Sequence, residues 1–401
     1  MAATRLVFHS STPSSPVLIY LPPGPVVAEC PEEEDRIIST LASTSGATIA
    51  RVNYRASAQY QFPTPVHDVL LAYDWVRENL LQDGFSRPVL GRVGVCGELI
   101  GGSLATMLAL TECRLGESRI AAASVNNPIV DWVFPDDLPT VSAAELLEPP
   151  AADETALLAD EDPMALPSCN KPKPPSLRKT PKRTARSPPP TSWQLYGDNA
   201  AIPTLTLSAE RDVLFRRPED YFDRFVSPVH FFRSPHGMLL HPKADDAWAS
   251  EQPGNLIDIE TQLDIHHFQS YENPDATPEL PVLARCRAYA RIYPPAGSKF
   301  ILPKWRITAG SHSPLLDQAL DLTKMVRRSV ARQMLKTRTG RVRWHDPTEK
   351  GHFEEYANER VSVDILDDVG LWTEQQNDEQ WKSQVEYTGT WMKEALKPDS
   401  I

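Results

Sequence analysis

The chain has 401 residues, a length that allows one large domain or two modest ones and excludes a single small module. Apolar residues make up 41% of it, which is enough for a hydrophobic core and excludes a fibrous or fully disordered chain, although its 38 prolines are about twice the usual share. The formal net charge of −12 argues against a nucleic-acid partner and an anionic membrane surface, and leaves room for a local basic patch.

Targeting signals and cysteine usage indicate the compartment. The N-terminal residues lack the apolar core of a signal peptide, and no apolar run reaches the roughly 20 residues of a membrane span. The 5 cysteines are odd in number, scattered and without a C-x-x-C pair, a pattern typical of reduced thiols rather than disulfides or a zinc site. We therefore expect a cytoplasmic or nuclear protein with no membrane span, no metal and no cofactor.

The first third of the chain alternates between strand and helix signals. Short apolar runs predict strands that are buried on both faces, and between them apolar residues recur at helical spacing. This alternation indicates an α/β fold with a parallel sheet and right-handed crossovers. The predicted strands are 17–21, 47–53, 92–96 and 120–126, and the predicted helices are 31–46, 66–76 and 101–110.

The alternation stops at a proline-rich segment. Residues 135–190 contain 13 prolines and no glycine, with acids in the first half and bases in the second. Such a segment buries too little apolar surface to offset its ordering entropy, so 135–192 is predicted to be a disordered insertion. We expect an irregular cap or insertion at 193–300 and a core in two parts, 1–134 and 301–401. Within the second part the predicted strands are 305–308 and 341–344, and the predicted helices 316–334 and 378–396.

A glycine-rich junction follows the third predicted strand. Residues 94–105 read G-V-C-G-E-L-I-G-G-S-L-A. A G-x-S-x-G nucleophile elbow needs glycines two places before and two places after the nucleophile, because side chains would collide in so sharp a strand-to-helix turn. Gly97 and Gly101 occupy those two places, and Leu99 lies between them.

With this junction, the segments before it resemble a known family. Residues 54–63 (Y-R-A-S-A-Q-Y-Q-F-P) and 68–76 (D-V-L-L-A-Y-D-W-V) are similar to two segments of the hormone-sensitive-lipase-like branch of the α/β-hydrolase fold. Residues 94–105 are similar to that family's elbow, and 308–317 and 349–353 resemble its acid and histidine turns. The resemblance implies a mostly parallel, doubly wound sheet with helices on both faces, and esterase or lipase activity.

When the family's catalytic roles are transferred to the matching positions of this sequence, most of them fall on residues that cannot perform them. The nucleophile falls on Leu99, which has no lone pair with which to attack a carbonyl carbon. The acid falls on Ser313, with Asp317 one helical turn later as a substitute, and the histidine falls on His352. The oxyanion loop falls on 22–25 (P-P-G-P), where each proline lacks the backbone N–H that such a loop provides.

Other residues offer alternative readings of the site. Cys96 is either a displaced cysteine nucleophile or a packed core thiol, and Ser103 either a substitute nucleophile or a packing residue of the next helix. The segment that contains Asp212 resembles the family's acid turn as closely as the segment that contains Ser313, so Asp212 is an alternative catalytic acid. Glu98 is expected to form hydrogen bonds rather than to act as an acid or base, and His236 to be solvated.

Two hypotheses follow for the hydrolase-like body. In the first, its chemistry is impaired and it serves as a scaffold for an apolar ligand or ester, or for another protein. The corresponding ligand pocket would be formed by Pro22, Pro23, Gly24, Glu98, Leu99 and Ile100. In the alternative, the protein is an active carboxylic-ester hydrolase with a non-standard nucleophile.

Two basic segments stand apart from the hydrolase-like motifs. Residues 171–188 have the composition of a nuclear-import tract and contain the kinase-type sites Thr180-Pro181 and Ser187-Pro188. They are either a plain solvated linker or a site for an import factor or a proline-directed kinase. Residues 326–336 form a basic amphipathic helix pattern. In an acidic protein we expect its bases to pair with neighbouring acids.

Overall fold

A computed structural model describes most of the chain. The described residues are 3–8, 15–28, 30–81, 92–116, 119–142, 144–148, 157–158, 189–240, 281–295, 297–340, 346–372 and 378–397. Among the helices in these ranges, none combines the length and the apolarity that crossing a membrane requires.

The N-terminal part has the predicted alternation of strands and helices. The helix after the elbow begins at Leu99, directly after the strand, and not at Gly101 as the sequence indicated. One additional strand, at the very start, was not predicted, and it pairs antiparallel at the edge of the sheet. The elements are β1 (Ala3–Phe8), β2 (Val17–Leu21), α1 (Pro31–Ser45), β3 (Thr48–Asn53), α2 (Thr64–Asn79), β4 (Val93–Glu98), α3 (Leu99–Thr111) and β5 (Ile120–Asn126).

Short elements make up the middle of the chain. They are β6 (Leu157–Leu158), α4 (Ser192–Leu195), α5 (Thr204–Leu214), β7 (Gly237–Leu240), β8 (Val282–Arg285) and β9 (Tyr289–Ala290). Of these, β6 lies in the segment expected to be a disordered insertion, and the others lie in or at the edge of the expected cap. Two antiparallel pairs, β6 with β9 and β7 with β8, lie outside the main sheet. The described start of the expected insertion contacts this region, since Asp137 pairs with Arg211 and the Arg287 amide donates to the Leu147 carbonyl at 3.0 Å. Most of the expected insertion, 149–156 and 159–188, and with it the basic tract 171–188, lies outside the described residues.

The C-terminal part departs from the prediction. Its elements are β10 (Lys304–Gly310), α6 (Leu316–Thr339), α7 (Pro347–Arg360), β11 (Val361–Leu366) and α8 (Asp378–Ala395). The strand predicted at 341–344 lies outside the described residues, and the last strand, β11, was missed. The turn expected at 349–353 is wrong: these residues lie in α7, which begins there because the Asp346 side chain accepts a hydrogen bond from the Glu349 amide at 2.8 Å and Pro347 occupies the first turn.

The main sheet has seven strands in the order β1-β3-β2-β4-β5-β10-β11, and all but β1 are parallel. Its register brings the strand ends to one edge: Leu21 pairs with Gly97, Asn126 with Glu98, and Gly310 with Leu366. One core cluster lies between the sheet and helices α1 and α8, and the larger cluster covers the other face beneath α2, α3 and α6. The carboxyl edge of the sheet is where open α/β folds bind ligands.

Helices α1 and α8 approach each other closely at Gly389. A Cβ atom built on Gly389 would collide with the Thr44 side chain, whereas one on Gly351, in α7, would meet nothing within 4 Å. We expect Gly389→Ala to lower the free energy of unfolding by about 1–3 kcal/mol, because overpacking outweighs the helix propensity of alanine. Gly351→Ala, the matched control, should raise the free energy of unfolding by up to about 1 kcal/mol. Urea unfolding of both variants tests this, and equal effects would contradict the close packing.

Candidate functional site

The elbow keeps the backbone geometry of a nucleophile turn. A Cβ on Gly97 would lie 2.5 Å from the carbonyl carbon of Gly101, and one on Gly101 would lie 2.8 Å from the carbonyl carbon of Leu21. Leu99 has φ 51°, a left-handed conformation that non-glycine residues rarely adopt. The strand-to-helix turn is therefore as tight as an elbow requires, although no hydroxyl stands at its tip.

The side chain at the tip is enclosed. Leu99 and Ile100 are fully buried in the larger core cluster. The Leu99 carbonyl accepts a hydrogen bond from the Ile129 amide at 3.4 Å, which ties the elbow to the segment that follows β5. In that segment the ring of Trp132 packs against Phe62 and Phe215 with centroid distances of 6.0 and 5.2 Å. Aromatic side chains thus pack beyond the carboxyl ends of β3 and β5.

The loop after β2 presents carbonyl oxygens to the elbow. The Ile100 amide, which follows the nucleophile position, donates to the Pro23 carbonyl at 3.3 Å. The neighbouring Pro22 carbonyl accepts from the Tyr54 hydroxyl at 2.7 Å and lies where a side chain on Gly101 would stand. An oxyanion hole needs N–H donors directed at the developing charge. Here the Ile100 N–H, which would be one such donor, is already hydrogen-bonded to the Pro23 carbonyl.

Glu98 holds the turn that follows the last strand. Its Oε1 accepts from the Asn126 side-chain amide and from the Trp372 backbone amide, both at 2.7 Å, and the residue is 1% exposed. The same Asn126 nitrogen donates to the Gly370 carbonyl at 2.8 Å, and the Asn126 oxygen accepts from the Thr308 hydroxyl at 2.7 Å. This network joins β4, β5 and β10 to residues 367–372. In it Glu98 forms hydrogen bonds, the role expected from the sequence.

The residues proposed as the remaining catalytic groups are dispersed. The Ser313 side chain is buried and its Oγ accepts from the Leu315 amide at 3.2 Å. Asp317, in the first turn of α6, accepts from the Ser192 amide at 2.6 Å. His352 is exposed on α7, a helix that leads into the amino end of β11, and its ring packs 5.6 Å from that of Phe353. Within the described residues, no hydrogen bond, ion pair or ring contact joins His352 to Leu99, Ser313 or Asp317.

An unpredicted histidine–aspartate pair lies on the two turns after β10 and β11. His312 Nδ1 lies 3.4 Å from Asp368 Oδ1, and both side chains are 56% exposed. The turns also join through the backbone, since the His312 amide donates to the Asp368 carbonyl at 2.8 Å. His312 was visible in the acid-turn segment, but its partner lies 56 residues further along the chain, in a turn with no recognisable motif. An exposed pair of this kind contributes little to stability.

The alternative nucleophiles and acid lie in ordinary structural positions. Cys96 is fully buried on the sheet face beneath α1 and α8, and burial raises the pKa of its thiol well above the ordinary value, so it stays protonated. Ser103 is buried, and its hydroxyl donates to the Val226 carbonyl at 3.4 Å. Asp212 is exposed and pairs with Arg211 at 3.0 Å.

The expected ligand pocket is divided between a groove and the core. A groove of about 460 Å³ beside the loop after β2 is lined by Pro22, Pro23 and Gly24, as expected. Glu98, Leu99 and Ile100 do not line it, because they are buried beneath the loop. The groove also has charged walls from Glu33, Glu34, Asp35 and Arg51, which the sequence analysis did not include; Arg51 Nη2 donates to Glu34 at 2.7 Å.

A buried charged cluster surrounds Asp131, after β5. The Asp131 carboxylate accepts from Arg233 at 2.9 Å and lies 3.3 Å from His236 Nδ1, so His236 is not solvated as expected. Burial alone would raise the pKa of Asp131, but His236, His230 and Arg233 outweigh it and hold that pKa below its ordinary value. In the described part of the chain, no group of three or more His, Cys, Asp or Glu residues is arranged to hold a metal ion.

His230 makes stability depend on pH. It is 1% exposed and neither ring nitrogen has a hydrogen-bond partner; burial lowers its pKa to about 4, against the attraction of Asp131, while Arg233, His236 and Arg291 add to the lowering. Since the unfolded chain takes up this proton near pH 6.5, the free energy of unfolding should fall between pH 6.5 and 4, by on the order of 3 kcal/mol.

Urea unfolding at several pH values measures this dependence. The variant His230→Phe removes this titrating group and should reduce the slope in that window. The slope that remains would come from His236, because burial also lowers the pKa of that histidine. A wild-type stability that is constant from pH 6.5 to 4 would contradict the burial of a neutral His230.

Removing the Glu98 acceptor should destabilise the carboxyl edge. In Glu98→Ala two buried donors, from Asn126 and Trp372, lose their partner, and each unsatisfied donor costs about 1–3 kcal/mol. Glu98→Gln keeps an acceptor oxygen and should lose much less. The free energy of unfolding distinguishes the two variants, and equal losses would show that the hydrogen bonds are not the reason for the burial of this side chain.

Comparisons with known proteins relate this geometry to characterised enzymes. The ethyl acetate hydrolase of Pseudomonas putida is 36% identical over 92 residues, 23% of this chain and 28% of the hydrolase. The esterase LipI of Mycobacterium tuberculosis is 27% identical over 159 residues, 39% of this chain and 48% of the esterase. The chain thus matches less than half the length of either relative.

Solved structures agree in fold. A hyperthermophilic esterase from the archaeon Pyrobaculum calidifontis superimposes with a TM-score of 0.50 at 16% identity, covering 96% of this chain and 78% of the esterase. Carboxyl esterase 2 of the fungus Tuber melanosporum gives 0.51 at 12% identity, covering 99% and 87%. The family model described as the alpha/beta hydrolase fold matches residues 18–230, more than half of the chain. The chain therefore belongs to the alpha/beta hydrolase fold family, in its esterase and lipase branch.

Proposed function

We propose that this protein has lost ester hydrolysis and serves as a ligand-binding or interaction scaffold built on a hydrolase fold. The observation that carries the proposal is the elbow itself. Leu99 occupies its tip, fully buried, and the adjacent Ile100 amide donates to the Pro23 carbonyl. The attacking atom is thus absent, and one oxyanion donor is already hydrogen-bonded to a carbonyl oxygen.

Magnitudes favour loss of activity over weakening of it. In a serine hydrolase, removing the nucleophile costs about 10⁶-fold in kcat, and the remaining 10³ to 10⁴-fold acceleration over water comes from substrate binding and the oxyanion hole. Here the loop after β2 offers the carbonyl of Pro23 and three proline nitrogens without N–H. The source of the residual acceleration is therefore damaged together with the nucleophile.

The groove beside the loop after β2 gives the scaffold a place for a ligand. Its volume of about 460 Å³ falls within the range of small-molecule sites. Pro22, Pro23 and Val27 provide apolar wall, while Glu33 and Tyr54 add polar groups. Because the relatives with recognisable sequence similarity are named as hydrolases of esters, an ester or a related amphipathic molecule is the ligand class we propose.

The positions of the two candidate substitute nucleophiles, Cys96 and Ser103, favour the loss of hydrolysis over an unusual active site. Cys96 lies on the opposite face of the sheet from the Leu99 side chain, in a separate core cluster, with a thiol held in the protonated form. Ser103 points its hydroxyl at a backbone carbonyl inside the core. Neither side chain is exposed to a substrate.

Incubation with a fluorophosphonate probe and with p-nitrophenyl butyrate tests the proposal. The wild-type chain should show neither labelling nor turnover above buffer, under conditions in which an active esterase of the family shows both. Labelling that disappears in Cys96→Ala or Ser103→Ala would overturn the proposal.

The variant Leu99→Ser repairs one defect and leaves the others. It restores a hydroxyl at the tip of the elbow, but the Ile100 amide stays bound to Pro23 and His352 stays on α7, with no described contact to the elbow, so we expect no more than a trace of turnover. Turnover that approaches the level of the active esterase would show that the carbonyl in the oxyanion position is no obstacle, and that Leu99 alone accounts for the loss.

A further inference from the structure

A second pocket lies far along the chain from the elbow residues. It has a volume of about 340 Å³ and is formed between the C-terminal half of α6 and the residues 292–295 and 297–298. The elbow, the loop after β2 and the groove beside it contribute no residue to its described lining. The pocket therefore requires an explanation independent of the hydrolase site.

The helix that forms one wall is the basic amphipathic segment noted in the sequence. One of its bases differs from the expected pairing with acids, because the Arg327 Nε donates to the Val361 backbone carbonyl at 3.0 Å. Arg332 and Lys336 both line the pocket, and no described residue of the lining is acidic. In a chain with a net charge of −12, a cavity lined by two cations and no acid is a marked local reversal of charge.

The side chains in this wall lie on one stripe of the helix. Ser329, Arg332 and Lys336 follow the i, i+3, i+7 spacing that places residues on one face. Ser329 is 5% exposed and Arg332 is 7% exposed, while Lys336 is exposed at the rim. The Ser329 hydroxyl makes no hydrogen bond to another described residue. Two buried residues, Ser329 and Arg332, and one exposed residue, Lys336, therefore line the same space.

The opposite wall is apolar and held in place from outside the pocket. Tyr293, Pro294 and Pro295 line it. The Tyr293 hydroxyl is directed away, donating to the Leu110 carbonyl at 2.5 Å. Gln333 fixes the following residues to α6, because its Nε2 donates to the Phe300 carbonyl at 2.5 Å and its Oε1 accepts from the Leu302 amide at 3.4 Å. Contacts within the protein thus hold this wall in place.

We propose that this pocket binds a small amphipathic oxyanion, a carboxylate or phosphate monoester carried on a compact apolar body. The oxyanion would bind at Arg332, Lys336 and Ser329, and the apolar body against Tyr293 and the two prolines. Guanidinium and ammonium groups are the usual partners of both anions. The C-terminal end of α6 carries about half a negative charge, which opposes an anion, but two full positive charges outweigh it.

Isothermal titration with 1-naphthyl phosphate, 1-naphthoate and 1-naphthol tests the proposal on the full chain. The three probes share a ring system and differ in charge. At least one anion should bind one to one and more than tenfold tighter than the naphthol, and its affinity should fall as salt is added. Tighter binding of 1-naphthyl phosphate than of 1-naphthoate would identify the ligand as a phosphate monoester. Tighter binding of 1-naphthoate would identify it as a carboxylate. Equal affinity for naphthol, or no binding of either anion, would overturn the proposal.

Charge reversal locates the site. Lys336→Glu should weaken binding of the better anion by about tenfold, because an attraction at the rim becomes a repulsion. The matched control Lys324→Glu reverses an exposed charge on the same helix that does not line the pocket, and should leave the affinity within about twofold. Equal losses in the two variants would show a general charge effect and refute the site.

Two further variants complete the test. Ser329→Ala keeps the charges but removes the buried hydroxyl, so it should also weaken binding of the anion. An unchanged affinity would show that the Ser329 hydroxyl does not bind the anion, contrary to the proposal. Leu99→Ser should bind like the wild type, because the elbow does not contribute to this pocket. The result of the esterase assays therefore has no bearing on this proposal, and its failure would leave the proposed loss of hydrolysis intact.

Discussion

The close approach of the elbow backbone to the loop after β2 sets the geometry of the carboxyl edge. Gly97 and Gly101 leave no space for a Cβ, so the chain must turn sharply between them and Leu99 must adopt a left-handed backbone. That conformation costs a non-glycine residue roughly 1–2 kcal/mol. Burial of the leucine side chain stabilises the fold by about 1.5–3 kcal/mol, which offsets this cost. The strained turn therefore persists although it presents no nucleophile.

The same edge is held by polar contacts that do not depend on catalysis. Glu98, at the end of β4, accepts hydrogen bonds from Asn126 and from the Trp372 amide, and so joins strands in the middle of the sheet to the turn after its last strand. In an active relative these turns would have to hold reacting groups in register. In this chain the hydrogen bonds hold the ends of β4, β5 and β10 to residues 367–372.

Much of the fold and part of the site were predictable from the sequence. The elbow glycines, the leucine between them and the strand–helix alternation up to β5 follow from local spacing, which the sequence displays directly. The last strand was missed because α7 ends at Arg360 and β11 begins at Val361, leaving no turn residue to mark the change of period. Gly351 and His352 resemble the family's histidine turn. Asp346 and Pro347, however, start a helix that continues through His352.

The orientation of the Pro23 carbonyl was beyond the reach of sequence reasoning. Proline identities showed only that N–H groups are missing, whereas the hydrogen bond from Ile100 depends on how the loop is turned. The charged walls of the groove were missed for a related reason. Glu33 and Glu34 were assigned to a helix start, and only the packed structure shows that the first turn of α1 also borders a cavity.

The direct junction between α7 and β11 also limits how the chain can change in length. Arg360 donates from Nη2 to the Leu302 carbonyl at 3.1 Å, which anchors the junction to the start of the neighbouring strand. A single residue inserted between that anchor and β11 would move the side chains of β11 to the opposite face of the sheet. We therefore expect a change in chain length to be better tolerated before α7 than at its junction with β11.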